Sequence, residues 1–213
     1  MKQISILIAD DHKLIREIWS YILNADNRFK VIAEAESGEL SIELAKKLNP
    51  DIIIMDINLP GLNGIDATEQ IIKFNPAVKI LAISLHTQPL YAKAIMKKGA
   101  MGYVTKNSTK DEMMHAIVQI MKGVKYICKE IKNNLTDQII ENPNNDNGFN
   151  LLSPRELQII QYIKQGLSSR EIAASLKISE KTVEVHRYNS LKKLKLKNSA
   201  ALVNYINTQY PNI

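Results

Sequence analysis

The chain has 213 residues, of which 45% are hydrophobic and 23% are charged, an ordinary composition for a globular protein. Its single cysteine, Cys128, excludes an intrachain disulfide and a Cys-based zinc cluster. There is no apolar stretch of the roughly 20 residues that a membrane span needs, and the N-terminus lacks the features of a signal peptide. We therefore expect a cytoplasmic protein.

The formal net charge of +6 is unevenly distributed along the chain. Residues 1–149 hold 18 basic and 18 acidic side chains, whereas residues 150–213 hold ten basic and four acidic ones. The whole positive excess therefore lies in the C-terminal segment. This indicates nucleic acid or another acidic partner for that segment. From charge alone, a solvated basic surface is an equal alternative.

The first half of the chain alternates between two patterns. Five short runs rich in Ile, Val, Leu and Ala predict buried strands, and apolar residues at helical spacing lie between them. This alternation predicts an α/β fold with a doubly wound, five-stranded parallel sheet. The predicted strands are residues 4–9, 31–35, 51–55, 79–84 and 102–105.

After about residue 123 the alternation weakens. Residues 130–140 are weakly helical in pattern, and residues 142–148 form a polar, turn-rich stretch. From residue 151 every segment predicts a helix, over 154–165, 169–176, 180–194 and 198–207. We therefore predict a domain at 1–125, a linker at 126–149 and an all-α domain of four helices at 150–213.

Polar side chains follow the predicted strands. Asp10 and Asp11 follow the first, Asp56 the third and Lys106 the fifth, while Ser84 ends the fourth. Since the carboxyl ends of parallel strands meet at one edge of a sheet, these side chains are expected to form one site. Clustered carboxylates favour a hard cation such as Mg²⁺. A metal-bound aspartate beside a lysine can attack a phosphoryl group, and a hydroxyl can bind its oxygens.

Three segments resemble the receiver domain of two-component response regulators: residues 8–12 (IADDH), 56–64 (DINLPGLNG) and 99–106 (GAMGYVTK). The resemblance covers about residues 4–123 and implies a flavodoxin-like fold. It implies that a sensor histidine kinase phosphorylates Asp56, and that Ser84, Lys106 and Tyr103 respond as switch hydroxyl, phosphate partner and switch aromatic. It also implies a Mg²⁺ site formed by Asp10, Asp11, Asp56 and the main-chain carbonyl of Asn58. For Tyr103, simple packing of a half-exposed ring is the alternative.

The predicted helix at 180–194 follows a shorter helix and a turn at 177–179, which is the pattern of a helix-turn-helix. The second helix of such a motif can enter a DNA major groove. Its inward side is predicted to carry Val183, Leu191 and Leu194. An outward stripe at helical spacing comprises Lys181, Val185, Tyr188 and Lys192.

Residues 152–157, 166–173 and 179–187 are similar to the LuxR-type helix-turn-helix of NarL/FixJ response regulators, over about residues 151–206. The resemblance implies base contacts from Glu184, Val185 and Tyr188, and phosphate contacts from Lys181, Thr182, Arg187 and Lys192. Glu184 departs from the lysine of many members, and a carboxylate accepts from cytosine but repels phosphate. Lys195 replaces a common helix-ending glycine, so the helix is expected to continue or to be capped differently.

Two further expectations concern the C-terminal domain. His186 is expected to be packed and hydrogen-bonded rather than a ligand or an acid. The last helix is expected to carry a dimer interface, since helix-turn-helix proteins commonly bind paired half-sites. Closure of the small core is the alternative for this helix.

Together, the resemblances imply a response regulator and not an enzyme. Mg²⁺-dependent phosphorylation of Asp56 would control dimerisation or domain release, and the homodimer would bind double-stranded promoter DNA. The main alternative is a phosphorylation-independent DNA-binding regulator whose receiver only dimerises. A phosphohydrolase with Asp10 as nucleophile would usually need an acid at position 12, which is His12. In a flavin protein, Asp10 and Asp11 would repel the flavin phosphate.

Overall fold

The computed structural model describes residues 3–141 and 151–209. The chain divides into two compact units, Met1–Glu141 and Asn142–Ile213. Within the described ranges, no helix has both the length and the apolar character that crossing a membrane requires.

The first unit alternates strands and helices, as the sequence predicts. Its strands form one parallel sheet in the order β2-β1-β3-β4-β5-β6. The strands are β1 (Ile4–Ala9), β2 (Phe29–Ala35), β3 (Ile52–Asp56), β4 (Lys79–Ser84), β5 (Gly102–Thr105) and β6 (Tyr126–Ile127). The helices are α1 (Lys13–Asn24), α2 (Gly38–Leu48), α3 (Gly64–Phe74), α4 (Pro89–Lys97), α5 (Lys110–Met121) and α6 (Lys129–Glu141).

The doubly wound α/β class is confirmed, but the predicted count of five strands is wrong. The sixth strand, β6, contains two residues and pairs with Gly102 and Tyr103 of β5. Two residues cannot show a hydrophobic period, so the sequence pattern does not reveal this strand. The longer strands are recognisable because helices cover both faces of the sheet. All five residues of β3 are buried, which makes it an almost continuous apolar run.

The turn between β3 and α3 is tightly packed around Gly64. The Asn63 side chain caps α3 by accepting hydrogen bonds from the main-chain N–H groups of Ile65 and Asp66. A Cβ atom on Gly64 would lie only 1.9 Å from the main-chain oxygen of Asp56. Glycine at this position therefore allows the helix start to approach the end of β3.

Part of the predicted linker at 126–149 has regular structure. Strand β6 and helix α6 lie in this segment and belong to the first compact unit. The helical pattern at 130–140 is thereby confirmed as α6. The polar stretch at 142–148 lies outside the described residues. The domain boundaries at residues 125 and 150 stay predictions.

The second unit is all-helical in its described part, as predicted. Its helices are α7 (Pro154–Lys164), α8 (Ser169–Leu176), α9 (Glu180–Leu194) and α10 (Ser199–Gln209). Capping boxes at Ser153 and Ser168 start α7 and α8. Helix α9 ends at Leu194, and Lys195 adopts the left-handed conformation (φ 56°) that glycine usually takes. Of the two outcomes expected at Lys195, the different cap is therefore the one observed.

Trp19, in the first unit, is the single tryptophan of the chain. It lies on α1 and is partly exposed. Helix α1 carries a markedly apolar outer surface, because Leu14 and Tyr21 are 66% and 79% exposed.

Candidate functional site

The ends of β1, β3 and β5 bring two carboxylates and an ammonium group together. Lys106 Nζ lies 2.7 Å from Asp10 Oδ2 and 2.7 Å from Asp56 Oδ2. Both aspartates are 1% exposed, and the Lys106 side chain is 11% exposed. The predicted meeting of these strand-end residues is confirmed. Such groups are rarely buried unless they are paired.

Two more side chains complete this cluster. Oxygens of Asp10, Asp11 and Asp56 and a ring nitrogen of His12 all lie within 4.8 Å of one another. His12 Nδ1 is 2.8 Å from Asp11 Oδ1 and 3.1 Å from Asp10 Oδ1. Sequence reasoning did not assign His12 to this cluster, although it directly follows the two aspartates.

The cluster fits a divalent cation. Three carboxylates and one ammonium group leave two negative charges uncompensated when all four groups are ionised. Oxygen-rich donors with a net negative charge are what Mg²⁺ prefers. Asp11 is partly exposed at the mouth of the site, with a side-chain exposure of 35%. This leaves room for the water ligands that Mg²⁺ retains.

Burial strongly affects the ionisation of the central pair. It raises the pKa of the Asp56 carboxyl, while Lys106 opposes that rise and Asp10 adds to it. Burial by itself would lower the pKa of the Lys106 ammonium, but Asp56 and Asp10 more than offset this, so its pKa is raised. Lys106 is therefore positively charged, and added positive charge at the site favours ionised Asp56.

Hydrogen bonds orient the Asp56 carboxylate. Its Oδ1 accepts a bond of 3.0 Å from the main-chain N–H of Asn58, and its Oδ2 faces Lys106. Ser84, at the end of neighbouring β4, is fully buried, and its Oγ accepts from the main-chain N–H of His86. The main-chain oxygen of Ser84 accepts from the N–H of Lys106 at 2.7 Å. A main-chain hydrogen bond thus connects the end of β4 with the end of β5.

Tyr103 is fully buried, so the expectation that its ring is half-exposed is wrong, and its role as a switch aromatic rather than a packed ring stays a prediction. It lies on β5 between neighbouring strands, and its hydroxyl donates to the main-chain oxygen of His86 at 2.7 Å. Burial raises the pKa of Tyr103 far above its ordinary value. The aromatic ring is thereby attached to the loop that follows Ser84.

His86 is a residue that sequence reasoning missed. Its ring stacks on Tyr91 with centroids 4.0 Å apart, and its Nε2 lies 2.9 Å from the side-chain nitrogen of Asn58. Burial lowers the pKa of His86 to about 4, so the ring is neutral. A single histidine in a loop has no sequence pattern that would reveal this connection between the β3 and β4 loops.

Helix α6 contacts the end of β5 and the loop that follows β4. The Asn134 side chain donates to the main-chain oxygen of Thr87 at 2.8 Å. The Thr105 hydroxyl donates to Glu130 Oε2 at 2.7 Å. Thr87 is three residues beyond Ser84, and Thr105 immediately precedes Lys106. Movement of either strand end would therefore change its hydrogen bond with α6.

In the second unit, α8 and α9 pack as a helix-turn-helix. The predicted inward side of α9 is confirmed for fully buried Val183, whereas Leu191 and Leu194 are half-buried. His186 is half-buried and has an interaction partner, as expected. The predicted DNA contacts that are exposed are Lys181, Glu184, Val185, Tyr188 and Lys192, while Thr182 and Arg187 are half-buried.

Thr182 and Arg187 have partners within the unit. The Thr182 hydroxyl lies 2.7 Å from the Ser179 hydroxyl at the start of α9. Arg187 bonds Ser199 at 2.8 Å and also Ser169. All four residues of the predicted outward stripe are thus exposed, whereas the predicted phosphate contacts Thr182 and Arg187 are engaged within the unit.

Two protein families match the sequence. The response regulator receiver domain matches residues 6–118, and the bacterial regulatory proteins of the luxR family match residues 150–206. The chain belongs to the two-component response regulators with a LuxR-type DNA-binding domain. Members of this family are DNA-binding transcription regulators and not enzymes. The family gives no support to the phosphohydrolase or flavin-binding alternatives.

Known proteins are similar to this chain over 90% or more of its length. The transcriptional regulatory protein DegU of Brevibacillus brevis is 37% identical, over 90% of this chain and 88% of DegU. The oxygen regulatory protein NreC of Staphylococcus aureus (strain JH9) is 35% identical, over 94% of this chain and 95% of NreC. The solved RcsB response regulator of Salmonella typhimurium is 25% identical with a TM-score of 0.63, over 98% of this chain and 100% of that chain.

Proposed function

We propose that Asp56 accepts a phosphoryl group from a sensor histidine kinase. The observation that carries this proposal is the position of Lys106 Nζ, which lies 2.7 Å from carboxylate oxygens of both Asp56 and Asp10. This arrangement keeps a nucleophilic carboxylate beside a fixed cation in a site from which bulk water is largely excluded. In the transfer, the phosphorus–nitrogen bond to the kinase histidine breaks and a phosphorus–oxygen bond to Asp56 forms.

The site would hold Mg²⁺ through the carboxylates of Asp10, Asp11 and Asp56 and the main-chain carbonyl of Asn58. Bound there, the ion would neutralise charge on the phosphoryl oxygens during transfer. Asn58 N–H, which donates to Asp56 Oδ1, holds the carboxylate in one orientation. Lys106 would exchange its contact with Asp56 for a phosphoryl oxygen, and Ser84 would donate its hydroxyl to another.

Phosphorylation would change the loop after β4. In turning to donate to a phosphoryl oxygen, the Ser84 hydroxyl would change the geometry of the hydrogen bond that it accepts from His86 N–H. The hydroxyl of Tyr103 holds the same loop through the His86 carbonyl, so the aromatic ring would respond to the same movement. A shift between two loop arrangements would control dimerisation or domain release.

The response would regulate binding of a homodimer to double-stranded promoter DNA in the cytoplasm. Support comes from the positive excess of residues 150–213 and from exposed Lys181, Val185, Tyr188 and Lys192 on α9. The similar RcsB response regulator of Salmonella typhimurium shows conformational dynamism for DNA interaction. A helix such as α9 following a short turn is suited to the major groove.

Sedimentation velocity of the full chain with Mg²⁺, before and after addition of beryllofluoride as a phosphoryl mimic, tests this proposal. Wild type should change in mass or shape, and Asp56→Asn should not. The matched control is Asp111→Asn, which alters an exposed acid at the start of α5 and should respond like wild type. Fluorine NMR on each sample reports whether beryllofluoride is bound.

The outcomes separate the proposal from its main alternative. A response confined to wild type and Asp111→Asn supports phosphorylation control through Asp56. If beryllofluoride binds wild type but its mass and shape do not change, a phosphorylation-independent regulator with a receiver used only for dimerisation is favoured. If beryllofluoride binds Asp56→Asn as well as wild type, Asp56 is not the acceptor.

A further inference from the structure

Arg187 lies on the recognition helix α9, yet its guanidinium group is directed into the helix packing. Its side chain is 26% exposed. Nη1 donates to the hydroxyl of Ser169, and Nη2 donates to the hydroxyl of Ser199 at 2.8 Å. Ser169 is the first residue of α8 and Ser199 the first residue of α10. One side chain of α9 therefore connects the starts of two other helices.

Glu184, one helical turn before Arg187, belongs to the same network. Its Oε1 lies 3.2 Å from Arg187 Nη1 and also accepts a hydrogen bond from the Ser169 hydroxyl. Ser169 is buried, with an exposed fraction of 6%. The carboxylate also lies near the N-terminus of α8, where the helix dipole favours negative charge. Glu184 thus balances the positive charge that Arg187 brings to two helix N-termini.

We propose that Arg187 and Glu184 are positioning residues that set the orientation of α9, and that neither contacts DNA. If the Arg187 guanidinium moved outward to a phosphate, its contacts with two serines and a carboxylate would be lost. Oε1 of Glu184 is engaged by Ser169 and Arg187, and a base contact would bring this carboxylate toward the phosphate backbone as an anion. The assignment departs from the family resemblance, which implies a phosphate contact and a base contact at these positions.

Without Glu184, two of the three predicted base-contacting side chains remain. Val185 and Tyr188 are 50% and 65% exposed on α9 and are left as the residues that face base edges. An aliphatic side chain in the major groove contacts the thymine methyl group, whereas a carboxylate would select cytosine. We therefore expect recognition through apolar contact and the Tyr188 hydroxyl, supported by phosphate contacts of Lys181 and Lys192.

The salt dependence of DNA binding distinguishes a positioning residue from a phosphate contact. The probe is a random-sequence 30-base-pair duplex, bound by full-length protein with Mg²⁺ and beryllofluoride at several salt concentrations. Removing one phosphate contact reduces the slope of log K against log salt by about 0.9. Lys192→Ala should show this reduction, whereas Arg187→Ala should keep the wild-type slope. An equal reduction for Arg187→Ala would overturn the proposal.

Sequence specificity provides the second readout. Wild-type protein selects a preferred duplex from a random library, and each variant is then compared on that duplex and on the random one. Arg187→Ala should lose at least tenfold in the ratio of the two affinities. Glu184→Gln should lose specificity in the same direction, and the double variant should lose no more than Arg187→Ala. Independent, additive losses would indicate separate DNA contacts and contradict the proposal.

The variant Arg187→Lys separates the two roles most directly. Lysine keeps the positive charge and is a competent phosphate ligand, but its single ammonium group lacks the planar fork that reaches Ser169 and Ser199 together. The proposal requires Arg187→Lys to lose specificity as Arg187→Ala does. Wild-type specificity in Arg187→Lys would show that charge alone suffices and would refute it. Circular dichroism of Glu184→Gln and Arg187→Lys checks that both retain the helical content of wild type.

Discussion

At the level of single residues, Asp56 and Asp10 are two buried carboxylates that share one cation. Both aspartates are 1% exposed, and Lys106 is their shared cation. Charged groups in such a place are tolerated when their charges are balanced, and an excess of like charge destabilises the folded state. The arrangement is therefore suited to binding a cation or a phosphoryl group rather than to maximal stability.

The first prediction follows from this charge imbalance. Without divalent cations, Asp56→Asn should raise the free energy of unfolding by on the order of 1 kcal/mol, since it removes a buried like charge. It should also weaken the stabilisation that Mg²⁺ gives to wild type. Urea unfolding followed by circular dichroism, with and without Mg²⁺, measures both effects. Asp111→Asn is the control, and a destabilised Asp56→Asn protein would contradict this prediction.

Tyr103 offers a test of the buried hydrogen bond to the His86 carbonyl. The substitution Tyr103→Phe leaves that carbonyl without its 2.7 Å donor and should lower the free energy of unfolding by about 1 kcal/mol. Tyr188→Phe removes the same hydroxyl from a ring that is 65% exposed, and it should change stability by less than about 0.5 kcal/mol. Equal effects of the two substitutions in urea unfolding would show that the His86 bond contributes nothing specific.

The contribution of Asp26, which lies outside the acidic cluster, to the free energy of unfolding is predicted to depend on pH. Hydrogen bonds from the side chain and main chain of Arg28 hold the pKa of Asp26 at about 2, below its ordinary value of 3.8. Because the folded pKa is the lower one, this stabilisation is present above the ordinary pKa of 3.8 and is lost as the pH falls toward 2. NMR titration should show Asp26 returning toward its ordinary range in Arg28→Ala. Lys98→Ala should leave it unchanged.

At the level of elements, helix α6 contacts the ends of both strands that lead to Ser84 and Lys106. Asn134 binds the Thr87 carbonyl beyond β4, and Glu130 accepts from Thr105 at the end of β5. The helix also follows β6, whose pairing with β5 places it beside Tyr103. These contacts make α6 sensitive to the positions of Ser84 and Lys106.

A matched pair of substitutions tests this attachment. Asn134→Ala removes the 2.8 Å hydrogen bond to Thr87 and should increase amide hydrogen exchange in α6 by several-fold. Asn133→Ala changes the neighbouring exposed asparagine and should leave exchange unchanged. Both substitutions replace the same side chain with a strong helix former. Equal exchange in the two variants would mean that the Thr87 contact does not hold the helix.

At the level of the whole molecule, function is divided between two units of different charge. The acidic site lies within residues 1–149, where basic and acidic residues balance, whereas the positive excess lies in residues 150–213. DNA affinity should therefore depend on salt mainly through the second unit. The chemical signal and the electrostatic attraction to DNA can be altered by separate substitutions.

Much of this organisation could be predicted from the sequence because it depends on periodic patterns. Buried parallel strands appear as apolar runs, and their carboxyl ends identify Asp10, Asp56 and Lys106 as neighbours. The four C-terminal helices follow from their capping residues and helical spacing. These features depend on local sequence, so they could be recognised without the structure.

The features that could not be predicted depend on contacts between distant segments. Strand β6 is too short for a period, and the His86 contact with Asn58 joins two loops 28 residues apart. The direction of the Arg187 side chain depends on where α8 and α10 begin. Helical spacing alone places Arg187 near the exposed stripe and cannot show that its Nη1 and Nη2 groups already bond Ser169 and Ser199.

The position of Trp19 has a practical consequence. Because it is the only tryptophan and lies on α1, intrinsic fluorescence excited at the indole band reports the first unit alone. Adding Mg²⁺ and beryllofluoride should shift the fluorescence-detected urea midpoint of wild type upward, and that of Asp56→Asn much less. An unchanged wild-type midpoint despite bound beryllofluoride would contradict this. The protein thus carries a built-in optical probe of its signalling unit, and no dye has to be attached.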